Sequence, residues 1–100
     1  MASAIKLKST TVTGTVPGAK LLILGGIHGD EFESMAAIRR LRQTLVPEQL
    51  QGSVTLIPVV NEEAYWIGQR TARDGKDLAR TCPGKIDGSV TEQVAFAISN

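Results

Sequence analysis

The chain has little cysteine, almost no net charge and no long hydrophobic run. Cys82 is its only cysteine, which excludes an internal disulfide and any multi-cysteine metal site. A lone thiol fits a reducing compartment, and we expect it to be buried or half-buried. The formal net charge is +1, so electrostatic attraction does not indicate nucleic acid or an anionic membrane surface as a partner.

No apolar run approaches transmembrane length, and residues 1–8 lack the apolar core of a secretory signal. We therefore expect a cytoplasmic protein without a membrane partner. The 100 residues suggest a single domain, and a hydrophobic content of 42% is enough for one adequate core.

The single histidine, His28, stands in the sequence GGIHGDE at residues 25–31. It follows an apolar run, and Glu31 opens a helical pattern, so one tight turn can aim both side chains at one point. Zinc accepts an imidazole nitrogen and a carboxylate oxygen, each at about 2.0–2.2 Å. The spacing therefore predicts half of a zinc site, in which the His28 ring and the Glu31 carboxylate converge.

The acids around His28 also have a structural explanation. A helix N-terminus favours acidic residues, and Asp30 with Glu33 has the spacing of a capping box. Two ligands do not close a four-coordinate zinc site. Spacing alone therefore leaves both interpretations open.

Hydrophobic periodicity in the first part of the chain predicts two strands. Residues 5–8 alternate apolar and charged side chains, which is typical of an edge strand, and residues 10–18 have the composition of a turn region. The continuous apolar run at residues 21–24 predicts a strand that is buried on both faces of a parallel sheet.

The next segments predict a helix and another strand. Apolar residues recur at helical spacing over residues 30–46, so we expect an amphipathic helix there. Residues 54–60 predict a strand that Pro58 shortens or places near an edge. The order strand, helix, strand implies a right-handed parallel crossover.

The last third of the chain predicts a long loop followed by a helix. A loop as long as residues 61–88 is usually functional or disordered, although its charged residues also fit a solvated surface. Ser89 and Glu92 form a capping box, which predicts that a helix begins there. The sequence stops without the usual signals of a helix end, so we expect the natural chain to continue.

Four segments carry a family resemblance. They are GGIHGDE (residues 25–31), VVNEEAYWIGQR (59–70), DGKDLARTCPG (74–84) and GSVTE (88–92). In this order they resemble the succinylglutamate desuccinylase and aspartoacylase family, relatives of the zinc carboxypeptidases. The resemblance implies an α/β fold, a partial α/β/α sandwich of the zinc carboxypeptidase-like type with a mostly parallel sheet, truncated after the second main helix.

The resemblance also implies a function. Residues 1–100 would be the N-terminal part of a single zinc-hydrolase catalytic domain, with His28 and Glu31 as zinc ligands. The bond cleaved would be the amide of a small N-acylated amino acid or a related compound. The family takes its second histidine ligand and its glutamate general base from later segments, and Glu92 lies in the wrong segment to be that base. We therefore expect this chain to be inactive alone.

Three further residues receive roles from the resemblance. Asp77 resembles the carboxylate that accepts the other ring N–H of the histidine ligand, although a loop cap or a surface ion pair would also explain it. Arg70 resembles the catalytic arginine that stabilises the developing oxyanion, with Arg73 as a nearby competitor. Arg80 resembles the arginine that anchors a substrate carboxylate. Ala79 stands where the family usually has asparagine, so the substrate class is less defined than the reaction type.

Two non-enzymatic functions are alternatives. The glycine-rich turn and the helix start after it could hold an anion such as phosphate, although Asp30 and Glu31 would repel it. The chain could also be an assembly module that self-associates through exposed sheet edges.

Overall fold

The computed structural model describes residues 5–100, so residues 1–4 of the alternating N-terminal stretch lie outside the described part. Strands and helices follow one another in the order β1 (Thr10–Thr13), β2 (Val16–Leu24), α1 (Phe32–Thr44), β3 (Gln51–Ile57), α2 (Glu62–Ile67) and α3 (Val90–Ser99). Single turns of 3-10 helix occur at Pro47–Gln49 and Leu78–Arg80. Across residues 5–100, no helix combines the length and the hydrophobicity needed to span a bilayer.

The described strands form one sheet in the order β1-β3-β2. β2 pairs with β3 in parallel, with Leu21 opposite Val54, and α1 makes the crossover between them. β1 pairs with β3 antiparallel, with Thr10 opposite Leu56. The predicted α/β class is confirmed. Because β2 and β3 are parallel, the loops that follow them lie at the same edge of the sheet.

The helices cover both faces of β3. Val54 and Leu56 pack in one buried cluster with Ile38 of α1, whereas Ile57 packs in another with Val94 of α3. Alternate side chains of a strand point to opposite faces, so the β3 sequence supplies a core to each helix layer. Each buried aliphatic side chain contributes about 1.5–3 kcal/mol relative to exposure.

The N-terminal prediction was wrong in its boundaries. Residues 5–9 form no strand, although Ile5 and Leu7 turn inward and pack against the Ile57 cluster. Residues 10–18, predicted as a turn region, contain β1 and the start of β2. The predicted turn is limited to the connection between β1 and β2, where the Gly14 N–H donates to the Gly52 carbonyl over 2.7 Å. Residues on either side of it form strands because they pair with β3, which is distant in sequence.

The strand at residues 21–24 is confirmed, but its predicted burial is wrong. Leu21 is 55% exposed and Leu22 48% exposed, because β2 lies at the edge of the sheet that residues 5–100 form. Pro58 follows the last residue of β3 and so shortens the strand as predicted. β3 is nevertheless the central strand of the three, which Pro58 permits because it lies beyond the ladder.

The helix starts differ in how they are capped. The predicted box between Asp30 and Glu33 is absent, since α1 takes Glu31 as its N-cap residue without a side-chain cap hydrogen bond. The box at the start of α3 is confirmed, and the Ser89 N–H donates to Glu92 Oε1 over 3.1 Å.

Residues 61–88 are not one loop. Asn61 caps α2 by accepting a hydrogen bond from the Ala64 N–H, and Gly68 ends the helix with φ 69°. Trp66 of this helix is 76% exposed. Cys82 is exposed on the turn after Leu78–Arg80, so the expectation of a buried or half-buried thiol was wrong.

Candidate metal centre

Two loops meet at the carboxyl ends of β2 and β3. The Gly25 N–H donates to the Ile57 carbonyl, and the Val60 N–H donates back to the Gly25 carbonyl, both over 2.9 Å. Gly26 has φ 61°, a conformation that favours glycine, and a Cβ there would come within 3.0 Å of the Val59 backbone. These contacts fix the turn that carries His28.

The same turn lies directly against α2. A Cβ on Gly29 would lie 2.2 Å from the Ala64 carbonyl carbon, so only glycine allows this approach. The Gly29 N–H also donates to the Arg70 carbonyl over 3.2 Å. The close packing brings the segment after α2 beside the His28 ring.

The His28 imidazole lies between two carboxylates. Nδ1 is 2.9 Å from Glu31 Oε2, and Nε2 is 2.8 Å from Asp77 Oδ1. The imidazole side chain is 11% exposed, whereas the Glu31 side chain is 47% exposed. The expected convergence of His28 and Glu31 is therefore present, and the second ring nitrogen has its own acidic partner on a distant loop.

The two carboxylates favour a protonated ring. The hydrogen bond with Glu31, followed by that with Asp77, raises the pKa of His28 above its usual 6.5. The hydrogen bond with His28 in turn lowers the pKa of Glu31 and of Asp77. Because a metal ligand must be neutral imidazole, a metal ion at Nδ1 would compete with this proton.

The donor set fits part of a zinc site. An imidazole nitrogen and a carboxylate oxygen face each other, while the remaining ring nitrogen is hydrogen-bonded to a carboxylate, as is usual for a histidine ligand. Within residues 5–100 there is no group of three or more His, Cys, Asp or Glu side chains placed to hold a metal ion. His28 and Glu31 thus supply two ligands at most.

The structure separates the candidate arginines. Arg70 Nη2 lies 3.4 Å from Asp77 Oδ2, and Arg80 Nε lies 3.9 Å from the same oxygen. Arg73 instead pairs with Glu63 over 3.3 Å. Arg70 and Arg80 are 60% and 88% exposed, so these ion pairs contribute little to stability and leave both guanidinium groups accessible.

Asp77 also shapes its own turn. Its Oδ1 accepts the Ala79 N–H over 3.0 Å, and its carbonyl accepts the Thr81 hydroxyl over 2.7 Å. The loop-cap explanation of Asp77 and the histidine-partner explanation are therefore compatible. At Ala79 the chain offers a backbone N–H to Asp77 and no side-chain amide.

Sequence reasoning missed two residues that organise this region. Asn61 is buried, and its side-chain amide donates to the Ile27 carbonyl over 3.4 Å while its oxygen caps α2. Asp74 accepts hydrogen bonds from Ser89 and Thr91 at the start of α3. For Asn61, the two acids that follow it and the glycine seven residues later are the signals of a short helix. Asp74 opens the family segment 74–84, but no residue near it in sequence indicates its contacts with α3.

The chain is an α/β unit that pairs His28 with Glu31 after β2, and comparison with known sequences gives its family. The sequence model described as the succinylglutamate desuccinylase/aspartoacylase catalytic domain matches residues 17–99. The chain belongs to this family, which confirms the resemblance drawn from its motifs.

The relatives include named deacylases. The chain is 43% identical over 86 residues to the N-alpha-acetyl-L-2,4-diaminobutyric acid deacetylase of Halomonas elongata, a match that covers 85% of this chain and 25% of that protein. The chain thus spans about a quarter of the length of this curated relative.

Solved structures show the same fold. A succinylglutamate desuccinylase/aspartoacylase from Rhodobacter sphaeroides matches with a TM-score of 0.85 and 35% identity, over 94% of this chain and 29% of that one. The product-bound ectoine utilization protein EutE (DoeB) from Ruegeria pomeroyi matches with a TM-score of 0.82 and 34% identity, over 90% of this chain and 28% of that one. These neighbours confirm the fold class.

Proposed function

We propose that this chain forms part of a cytoplasmic zinc-dependent deacylase that hydrolyses the amide bond of a small N-acylated amino acid. One observation carries the proposal: His28 directs Nδ1 at the Glu31 carboxylate, while Asp77 engages Nε2. The named relative from Halomonas elongata, a deacetylase of an acetylated amino acid, supports the reaction class.

His28 and Glu31 are the residues that would hold the zinc ion. When bound, zinc polarises a carbonyl oxygen and lowers the pKa of a coordinated water to about 7. Asp77 Oδ1 lies 2.8 Å from Nε2 and would accept the Nε2–H of a zinc-bound ring, in which Nδ1 has lost its proton. Asp77 would therefore favour the tautomer that a ligand bound through Nδ1 requires.

The two exposed arginines would act on the substrate. Arg70 is the group for the negative charge that develops on the carbonyl oxygen, because its guanidinium stays protonated and lies beside the site. Arg80 would hold the substrate carboxylate through a planar pair of N–H donors. With Ala79 in place of the family's usual asparagine, Arg80 carries that recognition without a neighbouring amide.

The chain alone should bind zinc weakly. His28 and Glu31 would supply only two of the ligands that a zinc site needs, and the resemblance implies that the general base comes from a later segment. We expect no hydrolysis of acylated amino acids by residues 1–100 alone. The expected activity belongs to a protein of the full length seen in the relatives.

Zinc titration of the purified chain tests the proposal. We expect His28→Ala and Glu31→Gln each to remove most of the zinc affinity measured by calorimetry or chelator competition. Glu33→Gln is the matched control, because Glu33 is an exposed acid in the first turn of α1 and has no hydrogen bond with His28. Equal affinities for the native chain and His28→Ala would refute the metal site.

The sheet edge supports a second proposal, self-association. Leu21 and Leu22 are about half exposed on the edge strand β2, and such an edge pairs readily with another chain. The anion-binding alternative is weaker, since Glu31 is the N-cap residue of α1 and Asp30 precedes it, so that acidic residues stand at the helix start.

A further inference from the structure

The segment before Asp77 is held to the start of α3 by one carboxylate. Asp74 Oδ2 accepts the Ser89 hydroxyl over 2.6 Å and the Thr91 backbone N–H over 2.8 Å. Asp74 Oδ1 accepts the Thr91 hydroxyl over 2.6 Å and the Lys76 N–H over 3.2 Å. A carboxylate with four donors has little freedom to move, and it fixes residues 74–76 relative to α3.

A second attachment lies on the other side of Asp77. Leu78 is 1% exposed and packs in the core cluster with Val94 and Ala95 of α3. Asp77 therefore lies between two anchors, polar at Asp74 and apolar at Leu78, and both are made to the same helix. An ion pair of 3.1 Å between Lys76 and Glu92 of α3 strengthens the polar side.

Local contacts of Asp77 cannot replace these anchors. The hydrogen bonds from the Ala79 N–H and the Thr81 hydroxyl shape the turn itself. They do not determine where the turn lies relative to His28, which is 49 residues away in sequence. Placement of the Asp77 carboxylate beside the imidazole needs a connection to the rest of the fold.

We propose that Asp74 is a positioning residue that holds the Asp77 carboxylate against Nε2 of His28. Asp74 acts through the segment it clamps to α3 and does not touch the imidazole. Its loss should let Asp77 move, so that the carboxylate spends less time hydrogen-bonded to Nε2 of His28. The expected loss of zinc affinity rests on the function proposed above, whereas the expected loss of the hydrogen bond between Asp77 and the His28 ring does not.

Variants at Asp74 and at its partner Thr91 test this role. Asp74→Asn places an amide N–H against donors at the start of α3, and Thr91→Val removes a hydroxyl while keeping the side-chain shape. Thr91→Ser keeps the hydroxyl and should restore native behaviour. Ile38→Val provides a stability control, because Ile38 packs on the opposite face of the sheet from α3.

His28 is the only histidine, so nitrogen NMR of the imidazole reports this site alone. In the native chain we expect distinct shifts for Nε2 and Nδ1, because each ring nitrogen has its own carboxylate partner. Asp74→Asn and Thr91→Val should change the Nε2 shift more than the Nδ1 shift, because Asp77 contacts Nε2. Thr91→Ser and Ile38→Val should leave them at native values, at temperatures where circular dichroism shows each variant folded.

Zinc affinity gives the second measurement. Loss of a residue that is hydrogen-bonded to a metal ligand typically lowers the metal affinity about 10–100-fold. We expect about a tenfold loss of zinc affinity for Asp74→Asn, because Asp74 acts on His28 only through Asp77. Native nitrogen shifts and native zinc affinity in both Asp74→Asn and Thr91→Val would overturn the positioning role and leave the proposed function intact. If neither the native chain nor any variant binds zinc but the Nε2 shift still changes in Asp74→Asn and Thr91→Val, the positioning role stands and the zinc proposal fails. An equal change in Ile38→Val would show that lost stability alone is responsible, which also overturns the role.

Discussion

Nε2 of His28 and Oδ1 of Asp77 lie 2.8 Å apart, although 49 residues separate them in sequence. One residue belongs to the turn after β2 and the other to the loop before α3. The contact joins these two segments of the site. It also leaves Nδ1 as the ring nitrogen that faces Glu31.

The first prediction concerns this contact. Asp77→Asn keeps the size and the turn-capping oxygen of Asp77 but removes its charge, and Asp77→Ala removes the acceptor altogether. We expect zinc affinity to fall in both, by about 10–100-fold in Asp77→Ala, because the ring loses the partner that orients it. Calorimetric titration measures the change. Asp87→Ala, an exposed acid on the same long segment, should bind zinc as the native chain does.

The second prediction concerns the packing of the His28 turn against α2. Gly29→Ala should lower the free energy of unfolding by about 1–3 kcal/mol or more, since its Cβ would clash with the Ala64 backbone, which cannot move aside. Urea unfolding followed by circular dichroism measures the loss.

Gly68→Ala is the comparison for Gly29→Ala. Gly68 has φ 69°, and no atom lies within 4 Å of the position that an added methyl group would occupy. This change therefore carries only the backbone cost, about 1–2 kcal/mol. A Gly29→Ala protein as stable as the native chain would contradict the close approach of the turn to α2.

The third prediction is an acid-sensitive start of α3. Burial opposes ionisation of Asp74, but the hydrogen bonds from Ser89 and Thr91 hold its pKa at about 2, below 3.8. The Ser89 backbone N–H, followed by Lys76, lowers the pKa of Glu92 from 4.5 to about 2. Since the folded values are depressed, the stabilisation is present above the unfolded pKa values and is lost as pH falls toward about 2.

Urea midpoints measured from neutral pH down to about pH 2 test that dependence. Asp74→Asn should lower stability at neutral pH by about 1.5–3 kcal/mol, the value of a hydrogen bond to a charged group, and should reduce the further loss in acid. Glu92→Gln should reduce the acid loss as well. If the free energy of unfolding falls as steeply with decreasing pH in Asp74→Asn as in the native chain, Asp74 is not a source of the acid sensitivity.

The fourth prediction concerns the exposed edge strand. The native chain should self-associate at high concentration through β2, and Leu21→Lys with Leu22→Lys should shift it toward monomer in sedimentation equilibrium. Ile86→Lys is the control, because Ile86 is 59% exposed but lies outside the sheet. A native chain that stays monomeric at the highest concentrations would count against the edge as an interface.

Sequence reasoning succeeded where the determining contacts are local. The spacing of His28 and Glu31 and the box of Ser89 and Glu92 each span a single turn, so the order of residues contains their geometry. The periodicity of α1 is local in the same way, and only its ends differ from the prediction.

The errors arose where distant segments decide the structure. β1 forms because Thr10–Thr13 pair with β3, which overrides the turn composition of that region. The burial of β2 depends on whether other strands flank it on both sides, and the apolar residues of β2 do not show whether it lies at the edge or in the middle of the sheet. Asp77 received a role from the family resemblance, while Asp74 opens the same segment but received none, because its partners are at the start of α3.

The exposed position of Trp66 has a practical consequence for spectroscopy. This indole is the only one in the chain, and it is 76% in contact with solvent while the protein is folded. Water surrounds it before and after denaturation, so its emission maximum should shift little when the native state is lost. A flat fluorescence trace would therefore be a false sign of resistance to unfolding.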